Sequence, residues 1–144
     1  MPMNRKSEAI LLDTHIWLWL ASGVEKAVSL KLRALIDKLL PESGVRISVI
    51  SLWEIGVLAS KGRLVLSPGV KEWIYNTLGA TGVALEDINA EIALESTLLP
   101  DGMHNDPADR ILLSTAKAIG ATLITHDKEI LSYSKKHGLP ALSI

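Results

Sequence analysis

The sequence predicts an α/β fold with a mostly parallel central sheet and helices on both faces. Short apolar runs of strand length alternate with longer stretches in which apolar residues recur every three or four positions. The strand-like runs are apolar at almost every position, which is typical of strands covered on both faces. With 144 residues and neither an internal repeat nor a linker, the chain is expected to form one domain over residues 9–144, after a polar lead at 1–8.

The N-terminal half of the chain begins with a strand and a helix. Residues 9–12 are too few for a helix and are expected to form a buried strand, and residues 15–21 are apolar on nearly every side, which predicts a short buried helix. Residues 25–40 place apolar side chains at helical spacing and predict an amphipathic helix. Residues 45–50 are rich in β-branched types and predict a second strand, after which a helix runs from Ser51 toward Ser60.

The C-terminal half repeats this alternation of strands and helices, and each element adjoins a proline, glycine or capping residue. The predicted elements are a helix that starts at Ser67-Pro68, a strand at 83–85, a helix capped by Asp87, a helix that follows Asp106, a strand at 121–124, a short helix through Ile130, and a last edge strand at 141–144.

Residues 104–110, His-Asn-Asp-Pro-Ala-Asp-Arg, carry the clearest helix start in the chain. Asp106 can accept bonds from free backbone N–H groups, and Pro107 costs nothing at a position that needs no donor. Asp109 can close a capping-box-like pair with Asp106. The helix is expected to stop at Gly120. Helix capping alone is a sufficient explanation for this stretch.

Four acids are nevertheless expected at one edge of the sheet. Asp13, Glu54 and Asp127 each follow a predicted strand, and ligands of open parallel sheets bind outside the carboxyl ends of the strands. Asp109 opens a helix that feeds the strand before Asp127, so it should lie at the same edge. The distance between Asp109 and Asp13 depends on the strand order, which the pattern does not give.

Each acid also has a structural interpretation. Asp13 and Asp127 can cap the helices that follow them, and Ser51 with Glu54 fits a capping box. Taken together, however, carboxylates without neighbouring cations would repel one another and have raised pKa values. A divalent metal ion removes that penalty, and oxygen ligands suit Mg²⁺ or Mn²⁺.

Four stretches resemble the signature blocks of PIN-domain ribonucleases, and most closely those of VapC-type toxins from bacterial toxin–antitoxin pairs. They are LLDTHIWLW at 11–19, ISLWEI at 50–55, HNDPADR at 104–110 and LITHD at 123–127. Their order and spacing follow the family over almost the whole chain. One departure is Ala108, where an aromatic residue is common in the family; another is the longer polar lead.

The resemblance implies a metal-dependent endoribonuclease that uses Mg²⁺ or Mn²⁺. Asp13, Glu54, Asp109 and Asp127 match the family's acidic quartet, in which Asp13 and Asp127 are the candidates for direct metal ligation. Glu54 and Asp109 are expected to ligate a second ion, act through water or orient the attacking water. Asp106 is a helix cap first and an auxiliary site residue second. The hydroxyl groups expected to orient the carboxylates, as an alternative to capping, belong to Thr14, Ser51 and Thr125.

The resemblance also implies a homodimer and a cognate antitoxin that lays a peptide across the acidic site. An arginine of such a peptide pairs well with gathered carboxylates. The chain has no cysteine, no signal-peptide pattern and no apolar run long enough to span a bilayer, so we expect a cytoplasmic protein with no membrane partner. The net charge of −1 argues neither for nor against RNA binding.

Several other polar residues are interpreted as structural or peripheral. His15, His104 and His126 lack zinc-like spacing, and Arg110 is expected to pair with a neighbouring acid. The four tryptophans are expected in the core or a dimer interface. Candidate contacts to the RNA backbone, with a solvated surface role as the alternative, are Arg46, Lys61, Arg63, Lys128, Lys135 and Lys136.

Two other functions remain open on the sequence. One is another Mg²⁺-dependent acid-pocket α/β protein, such as a phosphotransfer receiver or a phosphatase; a receiver needs a late lysine where this chain has Asp127. The other is a non-catalytic module in which the acids cap helices or hold a partner's basic peptide. Such a module predicts no saturable Mn²⁺ site and no effect of mutating Asp13.

Overall fold

A five-stranded parallel sheet forms the centre of the protein. The computed structural model describes residues 8–23 and 28–144, and the strand order is β3-β2-β1-β4-β5 with every neighbouring pair parallel. The strands are β1 (Ile10–Leu12), β2 (Val45–Ser48), β3 (Ala84–Glu86), β4 (Thr122–Ile124) and β5 (Ala141–Leu142). The predicted α/β class with a parallel sheet is confirmed.

Seven α-helices connect or follow these strands in the part of the chain that the structure describes, and a 3₁₀ turn (Leu40–Glu42) precedes β2. The helices are α1 (Thr14–Ala21), α2 (Leu30–Leu39), α3 (Val49–Ser60), α4 (Val70–Thr81), α5 (Ala90–Thr97), α6 (Pro107–Ile119) and α7 (Lys128–His137). All except α4 begin with a polar side chain that accepts a bond from a backbone N–H of the first turn.

Two hydrophobic layers cover the two faces of the sheet. Ile10 and Leu12 of β1 pack into one layer with apolar residues of α1, α2, α3 and α4. Leu11 points to the other face and packs with Leu112 and Leu113 of α6 and Ile130 of α7. Adjacent residues of one strand therefore serve opposite layers, which is why the strands read as continuous apolar runs.

The boundary between β2 and α3 differs from the prediction. The strand ends at Ser48 rather than at residue 50, and Ser48, not Ser51, is the helix cap, since its hydroxyl accepts a bond of 3.1 Å from the Ile50 N–H. The apolar residues Val49 and Ile50 belong to the first helical turn. Ser51 and Glu54 thus lie inside α3, and the predicted capping box between them is wrong.

Other element boundaries shift by a few residues. Helix α2 starts at Leu30 after its cap Ser29. Residues 25–27 of the predicted helix and residues 1–7 of the polar lead lie outside the described residues. The cap of α5 is Asn89 instead of Asp87, because the Asn89 side chain accepts the bond from the Ile92 N–H. Helix α4 begins at Val70, after Gly69 and without a side-chain cap. No helix within the described residues is long and apolar enough to cross a membrane.

The strand order creates a reversal point beside β1. The chain moves outward from β1 through β2 to β3, then crosses back and places β4 on the other side of β1. At such a reversal the connections leave the carboxyl ends of the two central strands in opposite directions and open a crevice between them. Asp13 follows β1 directly, and Thr125 and Asp127 follow β4, so this crevice is the place to look for a site.

Candidate active site

Asp13 lies at the centre of the crevice and is held by two donors. Its Oδ1 accepts a bond of 2.7 Å from the Thr14 N–H as the cap of α1, and its Oδ2 accepts a bond of 2.7 Å from the Thr125 hydroxyl. Capping and orientation are therefore performed by the same carboxylate. Burial raises the pKa of Asp13, the bonds from Thr125 and Thr14 oppose that shift, and the charge of Asp127 adds to it.

Thr14 links Asp13's helix to α3. Its hydroxyl donates to Glu54 Oε1 at 2.5 Å and lies 2.8 Å from the Ser51 hydroxyl. Because a hydroxyl has one proton, Thr14 must accept from Ser51 while it donates to Glu54. Both hydroxyl-bearing residues are fully buried, at 0% exposure, so the orientation of Glu54 is determined by the packing of α1 against α3. We call Asp13, Thr14, Ser51, Glu54 and Thr125 the hydroxyl network.

Glu54 also has a raised pKa. The largest cause is burial, which the bond from Thr14 opposes and which the charges of Asp13 and Asp106 reinforce. Asp13 and Glu54 both accept a bond from Thr14, so the two carboxylates share one site although they lie on different elements. The hydroxyls predicted beside the acids are thus brought together with them by direct hydrogen bonds.

Asp109 and Asp127 meet His104 on the other side of the crevice. The Nε2 atom of His104 lies 3.3 Å from Asp109 Oδ2, and one ligand atom from each of the three residues falls within 4.8 Å of the others. Asp127 caps α7 through a bond of 2.9 Å from the Ile130 N–H, and its own N–H donates to the Thr125 hydroxyl at 3.1 Å. We call His104, Asp109 and Asp127 the imidazole cluster.

Asp109 has the most perturbed acidity in the site. Burial is the largest cause and the charges of Asp106, Asp13, Glu54 and Asp127 add to it, which raises the pKa of Asp109 to about 8. Four separate carboxylates therefore act on this one group, and the predicted convergence of the acids at one edge is visible in its electrostatics. Its side chain is 14% exposed and contacts the His104 imidazole, and no capping-box bond to Asp106 is present among the described residues.

Two basic residues near the site have other partners than predicted. Arg110 pairs with no acid of the described residues; its guanidinium donates to the backbone carbonyls of Ser96, Met103 and His104 at 3.1, 3.4 and 3.3 Å. Arg46, a candidate contact to RNA, pairs with Glu86 on the neighbouring strand. Within residues 8–23 and 28–144, no lysine or arginine forms an ion pair with Asp13, Glu54, Asp109 or Asp127.

The donor set fits a divalent metal ion. Carboxylate oxygens dominate it, and His104 adds a nitrogen: its Nε2 atom is buried and makes no hydrogen bond to any described residue. A cation would both relieve the repulsion that acts on Asp109 and give this nitrogen a partner. Asp106, in contrast, is an exposed cap whose Oδ1 accepts the Ala108 N–H at 2.9 Å.

The sequence predicts a structural or peripheral role for His104, whereas the structure brings its imidazole into direct contact with Asp109. The available signal was its position five residues before Asp109, across the turn that starts α6. A search for zinc-like pairs of histidines overlooks this arrangement, because the partners of His104 are carboxylates from two different helices. His15 and His126 remain outside the imidazole cluster, and their rings both lie near Trp19.

Comparison with known proteins identifies the fold. A model of the PIN domain matches residues 10–136. The chain belongs to the PIN-domain family. It is 28% identical to Ribonuclease VapC22 of Mycobacterium tuberculosis over 124 residues, which cover 86% of this chain and 91% of that protein. The family assignment confirms the resemblance read from the sequence and removes the receiver and phosphatase alternatives.

Solved structures share the same architecture. The DNA-bound VapBC of Salmonella typhimurium aligns with a TM-score of 0.66 at 18% identity, covering 94% of this chain and 98% of the matched chain. A toxin–antitoxin complex from Klebsiella pneumoniae aligns with a TM-score of 0.59 at 22% identity, covering 86% and 91%. At these identities the likeness demonstrates a common fold.

Proposed function

We propose that this PIN-domain protein is a metal-dependent endoribonuclease of the VapC type. The observation that carries the proposal is the convergence of four acids from four parts of the chain in one crevice. No lysine or arginine of the described residues forms an ion pair with them, and His104 alone contacts Asp109. A purely structural set of helix caps would not need to gather its charges at one point, because each cap acts on its own helix. The similarity to Ribonuclease VapC22 supports the same conclusion.

Asp13, Asp109 and Asp127 are the residues that would hold Mg²⁺ or Mn²⁺, with Glu54 beside them. When bound, the ion would lower the pKa of a water molecule and stabilise charge on the phosphate. Both ions accept oxygen ligands, and the nearby imidazole is better suited to Mn²⁺ than to Mg²⁺.

The protein's own contribution is orientation. Thr125 holds Asp13 by its Oδ2, and the buried pair Thr14 and Ser51 holds Glu54 by its Oε1. A carboxylate that is already oriented loses little further freedom when a ligand binds, which is how hydrogen-bonded neighbours tune metal sites. In this proposal Glu54 orients the attacking water, and Asp106 is an auxiliary residue whose charge acts on Asp109.

The proposal includes two protein partners. A cognate antitoxin would neutralise the nuclease with a peptide across the acidic crevice, and an arginine of that peptide would pair with carboxylates that lack a cation of their own. We also propose a homodimer and a cytoplasmic location, where RNA and antitoxin are both present. The toxin–antitoxin complexes among the structural neighbours support the antitoxin.

Cleavage of total cellular RNA tests the proposal. Purified protein, freed of antitoxin, is incubated with Mg²⁺, Mn²⁺ or EDTA beside Asp13→Asn and a matched control, Asp37→Asn, whose carboxylate is exposed on α2. Discrete fragments that require metal, persist in Asp37→Asn and vanish in Asp13→Asn are expected. Intact RNA under every condition would favour the non-catalytic binding module instead.

A further inference from the structure

A cavity of about 630 Å³ opens beside the acidic crevice, between the loop at residues 101–104 and one face of α7. This volume is in the range of pockets that hold small molecules or single groups of a polymer. Neither the acidic quartet nor the hydroxyl network lines it, so the proposed chemistry leaves it without a role. We call it the α7 cavity.

The α7 cavity is continuous with the imidazole cluster. His104 lines the cavity and also contacts Asp109, and Lys128 lines it directly after Asp127 in the chain. A strand whose phosphate lies at the acids would therefore enter this cavity with its next nucleotides. The connection does not depend on any movement, because both walls are already in place.

One hydrogen bond braces the two walls. The Tyr133 hydroxyl on α7 donates to the Pro100 carbonyl at 2.5 Å, at the start of the loop that forms the opposite wall. The Tyr133 ring lies 4.6 Å from the ring of His137, which also lines the cavity. A preformed cavity costs less ordering on binding than one that must open.

Two lysines and two carboxylates line the cavity, so its formal charge is balanced and the lysines are the groups that suit an anion. Lys128 and Lys136 are exposed, and neither forms an ion pair with any described residue. Of the acids there, Glu129 lies 3.9 Å from His104 and Asp101 is exposed on the loop. Lys128 and Lys136 are eight residues apart on α7, about 12 Å along the helix axis, so they can contact separate groups of one ligand.

We propose that the α7 cavity binds the RNA strand that flanks the scissile phosphate, with Lys128 and Lys136 contacting the phosphate backbone. This inference rests on the proposed ribonuclease function and adds the path of its substrate. Contacts of this kind give affinity without base specificity and make binding depend on salt.

The salt dependence of RNA binding tests the path. Binding of a fluorescein-labelled single-stranded RNA of random sequence to the Asp13→Asn protein is measured by anisotropy over a series of salt concentrations. Lys128→Gln and Lys136→Gln are added singly and together. For single strands each lost phosphate contact should reduce the slope of log K against log salt by about 0.7, so the double variant should lose about 1.4.

Lys117→Gln is the matched control. Lys117 is an exposed lysine near the end of α6 and is not one of the residues that line the α7 cavity. Its slope should equal that of the parent protein. In the otherwise wild-type enzyme, the two α7 variants should raise KM with kcat unchanged, because they remove binding that is equal in ground and transition states.

The possible outcomes distinguish a wrong RNA path from a wrong nuclease assignment. If the wild type cleaves RNA and the α7 variants keep the parental slope and KM, the path is wrong and the nuclease assignment remains. If the variants lose antitoxin binding but keep RNA binding, the cavity belongs to the antitoxin and the path is also wrong. If the lysines carry RNA binding but no condition gives cleavage, they are RNA contacts only, and both the path past a scissile phosphate and the nuclease assignment fail.

Discussion

The hydroxyl network and the imidazole cluster, on the two sides of the acidic crevice, differ in how their carboxylates are stabilised. In the hydroxyl network, the carboxylates of Asp13 and Glu54 each accept a bond from a buried hydroxyl, and these bonds counteract the effect of burial on their pKa values. In the imidazole cluster, Asp109 accepts no bond from a hydroxyl of the described residues, and burial together with neighbouring charges raises its pKa to about 8. The fold therefore determines the orientation of the carboxylates in the hydroxyl network, whereas the protonation of Asp109 in the imidazole cluster depends on whether a cation is bound.

Of the substitutions considered, Asp109→Asn should have the largest effect on the difference between the two sides. The amide imitates the protonated acid, so we expect cleavage to be abolished while the metal-free protein becomes more stable at pH 8. The folded Asp109 retains a proton between its ordinary pKa of 3.8 and about 8, which the unfolded chain has lost. The free energy of unfolding of the metal-free wild type should thus fall as the pH rises through this window.

Thermal melts in EDTA from about pH 5 to about pH 8 measure the effect of Asp109→Asn. The melting temperature of the wild type should decline with pH more steeply than that of the variant. A variant that melts below the wild type at pH 8 would contradict the assignment of unrelieved repulsion at this side chain. The Asp37→Asn protein, which changes an exposed acid away from the crevice, should follow the wild-type curve.

A bound metal ion should remove the repulsion that distinguishes the imidazole cluster from the hydroxyl network. At a Mn²⁺ concentration of about 100 times Kd, stabilisation of about 2.7 kcal/mol is expected for one site. At the same total Mn²⁺ concentration, the gain in melting temperature should be larger at pH 8 than at pH 5. Protons compete with the ion for Asp13, Glu54 and Asp109, whose pKa values are all raised. An equal gain at both pH values would place the metal away from these acids.

Thr14→Val should disrupt the hydroxyl network, because it removes the hydroxyl while the side-chain volume stays nearly the same. The variant leaves Glu54 and Ser51 without their shared partner, and we expect a cost of about 1 to 3 kcal/mol in unfolding free energy. Cleavage should fall about 10- to 100-fold through lost orientation. Thr14→Ser keeps the hydroxyl and should recover most of the activity, whereas equal losses in both variants would assign Thr14 to packing alone.

Asp106 should give the smallest effect. Asp106→Asn keeps the cap of α6, so stability should change by only a few tenths of a kcal/mol, and Asp106→Ala should cost about 1 kcal/mol. Because the charge of Asp106 raises the pKa of Asp109, the Asn variant should also flatten the pH dependence of the melting temperature. If Asp106→Asn abolished cleavage as completely as Asp109→Asn, Asp106 would be a metal ligand and not only a helix cap.

Local signals in the sequence were sufficient for most elements and for the acids. The caps at Asp106 and Asp127 and the stop at Gly120, which adopts a φ of 68°, depend only on residues within a turn, so they could be predicted. The end of β2 could not, because Val49 and Ile50 suit a strand as well as a helix. There the Ser48 hydroxyl decided between two conformations of similar local preference.

By itself, the sequence determined the alternation of strands and helices and the family signature. It also predicted that Asp13, Glu54 and Asp127 follow strands and that Asp109 lies at the start of a helix that leads into the next strand. Only the tertiary structure decided that β4 lies beside β1, that Thr14 bonds to Ser51 and Glu54, and that His104 reaches Asp109. The physical reason is the range of the forces. Capping and periodicity act within a few residues, whereas strand order and the buried contact of Thr14 with Glu54, 40 residues away, are chosen by packing of the whole domain.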